Sequence, residues 1–319
     1  MIKIVSFLPS ATEILYEIGA GNQVVGVTHE CNYPEEAKSK SKVINSSFDA
    51  STMSSKEIDN KIAELFGNGN DIYIINEKIL KELKPDLIVA QGICEVCSPF
   101  TKEIKRALSI LGYSPKVIIL DPHNISDILD NIKEIATNIG KIEEGKNLVR
   151  LLEDKINRVK KISELKTNKE NLTKILCLEW IDPFFTAGHW VPEMVEIAGG
   201  LNGLSKPKEQ SRRTSLEEIK KFDPDKIILM PCGFNIDRTI KEYKNSSTLN
   251  KNQEWNNLKA IKNNELYAVD AGSYFSKPGP RTITGIEILA KIVSPNKFNN
   301  IQTPENSYSK LITNDLTNN

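Results

Sequence analysis

The chain has 319 residues, more than one hydrophobic core usually accommodates, so we expect two lobes. Its 42 Lys and Arg residues balance 42 Asp and Glu residues, which argues against a nucleic-acid-binding protein. No apolar run approaches the ~20 residues that a membrane-spanning helix requires.

Strands and helices are predicted to alternate from the amino terminus. The run "KIVSFL" is typical of a strand, and "PSATEILYEIG" is typical of a helix that is capped by Ser10 and Glu13 and ends at Gly19. The apolar runs "VVGVTH", "DLIVAQ" and "KVIILD" follow, and each precedes a loop. Continuous β-branched runs of this kind indicate strands that are buried on both faces of a parallel sheet.

One long amphipathic run then interrupts the alternation. Its apolar residues recur three or four positions apart, so they share one face of a predicted helix. The α/β pattern restarts at "KILCLEW", and "ELKPDLIVAQG" at 82–92 is similar to "KFDPDKIILMPCG" at 221–233. The predicted fold class is therefore α/β, with two Rossmann-like lobes joined by one long helix and a ligand cleft between them.

The predicted boundaries follow from these patterns. The divisions are an N-terminal α/β lobe at 1–140, a bridging helix at 141–168, a C-terminal α/β lobe at 169–295 and a polar tail at 296–319. We expect the tail to fray because it is rich in polar residues. We expect the protein to be a monomer.

Candidate ligand-binding residues are concentrated in loops that follow predicted strands, where ligands bind in sheets of this kind. In the first lobe they are His29, Glu30, Cys31, Gln91, Cys94 and Asp121. In the second lobe they are Glu179, Trp180, Phe185, His189, Trp190, Cys232, Phe234, Tyr274, Phe275 and Arg281. Packing roles remain open for the two tryptophans and for the loop cysteines. His123 is expected to act as a local cap or turn residue, and Cys177 as a core residue.

The stretch "AQGICEVCSPF" places Cys94 and Cys97 in a CxxC pattern after a strand. Three interpretations stay open. The pair can shape the wall of the cleft, it can run a thiol redox cycle, or it can bind a metal ion together with His29 and Cys31. His189 is a further candidate metal ligand. The first interpretation is favoured. Pro99 follows the pair closely, where a redox motif would continue into its helix, and the chain lacks the second close cysteine pair that a zinc ribbon would need.

The sequence resembles the helical-backbone substrate-binding proteins of ABC transporters, which bind cobalamin, iron-siderophores and haem. "IVSFLPSATEILYEIGAGNQVVGVTHECNYP" is similar to the opening of the periplasmic cobalamin-binding proteins, and "LKPDLIVA" and "FDPDKIIL" match the Pro-Asp strands of the two lobes. "WIDPFFTAGHWVPEMVEIAGG" and "YFSKPGPR" resemble two segments of the family's second lobe. The similarity covers about residues 2 to 294.

This resemblance implies a binding protein and not an enzyme, with no catalytic cofactor and with a corrinoid such as cobalamin as the ligand. Iron-siderophores, haem and metal ions are the alternative ligands, and a CxxC thiol oxidoreductase is the alternative activity. The family docks to its permease through an exposed glutamate on each lobe, so the resemblance suggests Glu103 in the first lobe and Glu217 or Glu218 in the second.

The opening "MIKIVSFLPSATEIL" is typical of a first strand and lacks the features of a secretory signal. We therefore expect a cytoplasmic protein. An exported or membrane-associated protein is the alternative.

Overall fold

The computed structural model describes residues 1–92, 100–164, 172–246, 249 and 252–312. It confirms the α/β fold class, because helices alternate with the strands of two separate sheets. The chain forms two compact units. Unit 1 comprises Met1–Met53, Glu57–Pro122 and Ser126–Leu151, and unit 2 comprises Ser54–Lys56, His123–Ile125 and Leu152–Asn319. The predicted boundaries of the lobes and of the bridging helix stay predictions.

The first sheet is built from short, largely apolar strands. They are β1 (Ile4–Ser6), β2 (Val24–Thr28), β3 (Ser41–Ser46), β4 (Tyr73–Ile75), β5 (Leu87–Gln91) and β6 (Lys116–Leu120). Their order in the sheet is β4-β3-β2-β1-β5-β6. All the pairs are parallel except that of β3 with the edge strand β4. The carboxyl ends of the parallel strands therefore meet at one edge of the sheet.

Helices connect these strands. They are α1 (Pro9–Glu17), α2 (Ser55–Gly67), α3 (Glu77–Leu83), α4 (Phe100–Leu111), α5 (Ile125–Asn138) and α6 (Ile142–Glu164). Short 3-10 turns occupy Gly21–Gln23 and Glu35–Ser39. The core of the unit contains Val5, Ile88 and Ala90 from the central strands, with Leu80 of α3 and Ala107 of α4 packed against them. The division into units falls within α6, after Leu151.

Unit 2 repeats this architecture with more antiparallel pairs. Its strands are β7 (Thr173–Trp180), β8 (Phe185–Thr186), β9 (Gly200–Asn202), β10 (Arg212–Arg213), β11 (Lys226–Leu229), β12 (Leu266–Val269) and β13 (Tyr308–Leu311). The order is β10-β8-β7-β11-β12-β13, and β9 pairs with the first half of β7. The central strands β7, β11 and β12 are parallel, so their carboxyl ends share one edge.

The helices of unit 2 are mostly short. They are α7 (Val191–Ile197), α8 (Leu216–Phe222), α9 (Ile236–Asn245), α10 (Gln253–Asn256), α11 (Lys259–Lys262), α12 (Ala271–Tyr274) and α13 (Pro280–Val293). The largest core side chain is Trp255, which stacks on Phe184 at 5.6 Å between ring centroids. Its indole N–H donates to the Tyr243 hydroxyl at 3.2 Å, so the buried polar atom has a partner.

Two local predictions were wrong. The first helix has Leu8 as its N-cap, and Ser10 lies buried one position inside the helix, because Pro9 takes the first helical position. The tail does not fray over its described part. Strand β13 pairs with β12, and Phe298 is buried, because the few apolar residues of the tail cover an otherwise open sheet edge.

Candidate functional site

The loop after β2 carries the first group of candidate residues in unit 1. His29 is half-buried, and its backbone N–H donates to the Ile44 carbonyl at 2.9 Å. Its ring lies 6.2 Å from the Tyr73 ring, between centroids. Glu30 is exposed. His29 and Glu30 are therefore both accessible at the carboxyl edge of the sheet.

Cys31 lies in the interior of the same loop. Its side chain is fully buried, and its Sγ lies 3.2 Å from the Thr12 hydroxyl and 3.3 Å from the Thr28 hydroxyl. A thiol is a weak hydrogen-bonding group, and these two hydroxyl groups satisfy it. This placement favours a packing role over direct contact with a ligand.

Gln91 and Asp121 end two neighbouring strands of unit 1. Gln91 of β5 pairs in register with Leu120 of β6, and Asp121 follows immediately and is exposed. A Cβ atom on Gly92 would lie 3.4 Å from the Asp121 side chain, so this carboxylate lies against the glycine. Cys94 and Cys97 lie outside the described residues, and the three interpretations of this pair stay predictions.

In unit 2, Trp180 at the end of β7 is held in place by its polar atom. The Trp180 indole N–H donates to the Ser55 carbonyl at 3.2 Å. Ser55 is itself held by Glu242 of α9, whose Oε1 accepts the Ser55 N–H at 2.8 Å and also the Ser55 hydroxyl. The ring is half-buried and lies 5.6 Å from the Phe234 ring, at an interplanar angle of 60°. Trp180 therefore has a fixed orientation and an accessible face.

Backbone N–H groups of the loop after β11 bond the end of β7 and the loop after β12. The Cys232 N–H donates to the Glu179 carbonyl at 3.1 Å, and the Gly233 N–H donates to the Ser276 hydroxyl at 3.1 Å. Gly233 has φ of 77°, a left-handed conformation that favours glycine. Cys232 is exposed, and Phe234 beneath it is 2% exposed. The structure thus brings the end of β7 and the loop after β11, both of which carry predicted site residues, into contact.

The segment before α7 is tightly packed. Gly188 meets backbone atoms of residues 209–211, so no side chain fits there. His189 has φ of 54° and accepts a hydrogen bond from the Lys208 N–H at 3.0 Å. Trp190 is 5% exposed, and its indole N–H donates to the Phe275 carbonyl at 2.9 Å. Trp190 therefore packs as a core residue that joins two loops.

Two histidines that are distant in the sequence are neighbours in unit 2. The His123 and His189 rings lie 6.2 Å apart, and His189 lies 5.6 Å from the Trp190 ring, between centroids. The segment that contains His123 is fixed by Glu193 of α7, whose carboxylate accepts the Ile125 N–H at 2.9 Å. His123 is therefore more than a turn residue, because its ring takes part in a packed aromatic row.

The predicted aromatic residues differ in how much of each ring a ligand can reach. Trp180, Phe185 and Tyr274 are half-buried, whereas Trp190, Phe234 and Phe275 are almost completely buried. The accessible rings offer flat apolar contact, and the buried Phe234 ring packs against that of Trp180. Cys177 is buried in β7 as predicted, and burial raises the pKa of its thiol.

Three residues of this edge were not among the predicted site residues. Arg213 lies over Phe185, Arg238 lies over Phe234, and Ser276 bonds the Gly233 backbone. Of the three, only Arg238 is close in the sequence to its ring partner, since it follows Phe234 by four positions and lies in the first turn of α9. Arg213 depends on pairing between two short strands, which the sequence pattern does not show.

The described residues contain no cluster of three or more His, Cys, Asp and Glu side chains arranged to hold a metal ion. Among the helices in that part of the chain, none is long and apolar enough to cross a membrane.

Comparison with protein families identifies the chain. Residues 4–272 match the model of the periplasmic binding protein family. This chain belongs to that family. The periplasmic binding proteins are substrate-binding components of ABC uptake systems, so the predicted family and the predicted two-sheet α/β fold are both confirmed.

Curated relatives cover most of the chain at low identity. An uncharacterized ABC transporter substrate-binding lipoprotein, YvrC of Bacillus subtilis, is 25% identical over 300 residues, 93% of this chain and 81% of the relative. The vitamin B12-binding protein of Vibrio vulnificus is 24% identical over 296 residues, 89% of this chain and 87% of the relative. The Fe(3+)-citrate-binding protein YfmC of Bacillus subtilis is 27% identical over 229 residues, 70% of this chain and 65% of the relative.

Solved structures show the same fold. The periplasmic vitamin B12 binding protein BtuF of Vibrio cholerae has a TM-score of 0.65 at 21% identity, covering 92% of this chain and 96% of its own. The periplasmic heme-binding protein RhuT of Roseiflexus has a TM-score of 0.67 at 20% identity, covering 93% of this chain and 99% of its own. Proteins similar to this chain in sequence or in fold are thus named for binding vitamin B12, Fe(3+)-citrate or heme.

The prediction of a cytoplasmic protein was wrong. The family is that of the periplasmic binding proteins, and the Bacillus subtilis relative is a lipoprotein. These findings point to an exported periplasmic binding protein, which was the alternative.

Proposed function

We propose that this periplasmic binding protein carries a corrinoid of the cobalamin type to an ABC importer. The accessible faces of Trp180, Phe185 and Tyr274 at the carboxyl edge of unit 2 support this proposal most directly. A corrin is a broad, flat ring with an apolar body and polar side groups, and half-buried aromatic rings suit such a surface. The relatives that bind vitamin B12 agree with this ligand class.

Haem or a ferric chelate is the second candidate. The relatives support this candidate, since a protein similar in sequence binds Fe(3+)-citrate and one similar in structure binds heme. A metal-ion ligand through His29, Cys31, Cys94, Cys97 and His189 stays a prediction with less support, because Cys31 is enclosed by two threonines.

The test is retention of a chromophore. The purified protein is incubated separately with cyanocobalamin, hemin and ferric citrate, then desalted, and its absorption spectrum and tryptophan emission are recorded. Corrinoid binding predicts a retained cobalamin spectrum and saturable quenching. Retention of haem or iron alone would move the assignment to the second candidate, and retention of none would contradict the proposal.

Trp180→Leu sharpens this test. Loss of the accessible indole is expected to weaken binding by about 1–3 kcal/mol, the usual scale for an aromatic anchor. Phe66→Leu is the matched control, because this aromatic side chain is exposed on α2 of unit 1. Trp190 is a poor choice for the same experiment, since its truncation would open a cavity in the core.

Docking to the permease is proposed to use Glu217. This side chain is exposed in the first turn of α8. Glu103 does not fit the expected exposed position, because it is 8% exposed. Glu218 is engaged in a capping box with Ser215 and in an ion pair with Arg212. Glu217→Lys should therefore abolish ligand-dependent stimulation of the importer's ATPase while ligand affinity is unchanged. Unchanged stimulation would exclude Glu217.

A further inference from the structure

The indole of Trp180 is tied to helix α9 through one residue, Ser55. The Ser55 carbonyl accepts the Trp180 indole N–H at 3.2 Å. The carboxylate oxygen Oε1 of Glu242, on α9, accepts the Ser55 N–H at 2.8 Å and also accepts the Ser55 hydroxyl. Glu242 therefore acts on the indole through Ser55, at the point where the indole is held.

Ser55 depends on Glu242 for both of its donors. It is the first residue of α2, it groups with Ser54 and Lys56 in unit 2, and it is fully buried. A buried N–H or hydroxyl that loses its partner costs free energy, and Oε1 of Glu242 is the acceptor for both. The position of the Ser55 carbonyl is thus set from α9.

Helix α9 also supports the ring of the indole. The guanidinium carbon of Arg238, one turn before Glu242, lies 3.7 Å from the centroid of the Phe234 ring. The Phe234 ring in turn lies 5.6 Å from the Trp180 ring, between centroids. The helix is itself anchored, because Tyr243 is buried in the core of unit 2. One anchored helix therefore fixes the indole both at its N–H and along its ring.

A ring that is held in one orientation binds a flat ligand at lower cost. The terminal torsion of a tryptophan side chain has broad energy wells, so an untied ring samples several orientations. A tied ring has already lost this freedom, so less entropy is lost when a ligand stacks on it. The gain is largest for a broad planar ligand and smaller for a compact chelate that lacks a flat face.

We propose that Glu242 and Ser55 are positioning residues of the ligand site, which fix the Trp180 ring so that it selects broad planar ligands, corrinoid or haem, over compact chelates. This inference rests on the proposed function and deepens it. Neither residue has to touch the ligand. Their effect on affinity passes through the Trp180 indole, and the test uses this dependence.

The first measurement is the affinity of Glu242 variants for cyanocobalamin, hemin and ferric citrate. Glu242→Leu removes the acceptor of both Ser55 bonds and is expected to weaken binding of the planar ligands by about three- to tenfold, the usual cost of ordering one side chain on binding. Affinity for ferric citrate should change less. Glu242→Gln keeps an oxygen that can accept both bonds, so its affinities should stay close to those of the wild type. If Glu242→Leu does not fold, Ser55→Ala removes one of the two bonds and should weaken binding of the same ligands.

A double variant separates positioning from a general loss of stability. Trp180→Phe keeps a flat ring but has no N–H to be held. Adding Glu242→Leu to Trp180→Phe should therefore cost little further affinity, so the two changes are expected to be non-additive.

Asn76→Ala is the matched control for a lost helix-end hydrogen bond. The Asn76 side chain accepts the Ile79 N–H at 3.1 Å and caps α3 in unit 1. Its removal should lower the unfolding temperature and leave ligand affinity unchanged.

The second measurement reads the Trp180 N–H directly and needs no ligand. The chain has three tryptophans, so an NMR spectrum of isotopically labelled protein gives three indole N–H signals, and Trp180→Phe identifies the relevant one. In Glu242→Leu this signal should shift and its proton should exchange faster with water, whereas in Glu242→Gln it should stay near its wild-type position. The Trp190 signal is the internal reference, since its N–H bonds the Phe275 carbonyl.

The outcomes separate the two proposals. Weaker binding of planar ligands by Glu242→Leu, recovered in Glu242→Gln and absent in the Trp180→Phe background, supports the inference. Unchanged affinity with an unchanged indole signal, an equal loss of affinity for Asn76→Ala or an equal loss in the Trp180→Phe background would overturn it while a bound ligand upholds the proposed function. Binding of ferric citrate alone would also overturn it. If no member of the panel binds, the proposed function fails. The indole signal then decides the positioning role, since a shift in Glu242→Leu that Glu242→Gln lacks supports it and an unshifted signal overturns it.

Discussion

The two units of the molecule share one structural arrangement at the amino ends of their central strands. In unit 1, the C-cap residue of α3 is Lys84, which has φ of 49°, and the Asp86 carboxylate accepts the Lys3 N–H at 2.8 Å just before β1. In unit 2, the C-cap residue of α8 is Asp223, which has φ of 50°, and the Asp225 carboxylate accepts the Lys174 N–H at 2.8 Å at the start of β7. The repeated Pro-Asp sequence thus fixes the register of a parallel strand pair in each unit.

At the opposite edge the units differ. Unit 1 presents His29, Glu30 and Asp121, which are polar, whereas unit 2 presents the Trp180 ring and arginine–aromatic pairs. The amino edge therefore carries the scaffold that the sequence repeats, and the carboxyl edge carries what distinguishes the units. Variants at the amino edge should therefore change stability alone, whereas variants at the carboxyl edge should change both stability and ligand binding.

The largest effect is expected at Gly188, whose close packing supports the unit 2 loops. A Cβ atom there would lie 2.4–2.7 Å from backbone atoms of residues 209–211, which cannot move aside as a flexible side chain can. Gly188→Ala should reduce the free energy of unfolding by about 3 kcal/mol, at the upper end of overpacking effects, and should weaken ligand binding. Urea denaturation and the chromophore assay measure the two quantities.

Gly67→Ala in unit 1 is the control for that change. Nothing lies within 4 Å of a Cβ atom at this position, and the residue ends α2. It should change the free energy of unfolding by less than about 1 kcal/mol, and the change can be favourable because alanine restricts the unfolded chain. A similar loss for both substitutions would show that the contact at Gly188 relaxes.

Much of the scaffold could be predicted from the sequence, and much of the site's detail could not. The Pro-Asp echo, the apolar strand runs and the strand-following loops are local patterns, so they located both sheets and the edge where Trp180 lies. The pairing of β10 with β8, the neighbouring His123 and His189 rings and the docking of β13 depend on contacts between distant segments. Sequence spacing carries no information about such contacts.

The second expected effect concerns α6, whose two halves belong to different units. In the unit 2 half, Arg158 Nη2 lies 2.6 Å from the carboxylate of Glu287, which is 5% exposed on α13. Lys155 lies farther away, at 3.8 Å. Arg158→Met should reduce the free energy of unfolding by about 2 kcal/mol, because it leaves a buried carboxylate with a weaker partner.

Lys155→Met serves as the comparison, with an expected loss below about 1 kcal/mol for an exposed and more distant ion-pair partner. In the unit 1 half the tight contact is apolar, since a Cβ atom on Gly145 would lie 2.4 Å from the Ala136 Cβ. Equal losses for the Arg158 and Lys155 variants, measured by urea denaturation at neutral pH, would contradict the assigned role of the shorter pair.

The smallest effect is expected for the Pro-Asp arrangement that the two units share, and its pH dependence provides the test. Burial acts to raise the pKa of Asp225, but hydrogen bonds and charges from Lys259 and Lys174 outweigh burial, so the pKa is lowered from its ordinary value of 3.8. The Lys259 ammonium lies 2.6 Å from Asp225 Oδ1, and it is half exposed, so solvent screens part of the attraction. Asp225→Asn should reduce the free energy of unfolding by about 1–2 kcal/mol at neutral pH.

The sign of the pH dependence follows from the lowered pKa. Because the folded state binds this proton less readily than the unfolded state, the contribution of Asp225 is fully present above the ordinary carboxyl pKa and is lost as the pH falls through the folded pKa. The difference between wild type and Asp225→Asn should therefore shrink in urea titrations below about pH 4. Both asparagine variants keep an oxygen that can accept the strand N–H, but Asp225→Asn also loses the ion pair with Lys259, so the loss for Asp86→Asn in unit 1 should be smaller, about 0.5–1 kcal/mol. A difference for Asp225→Asn that is as large at pH 3 as at pH 7 would mean that the asparagine disturbs packing, and that the carboxylate charge does not hold the strand.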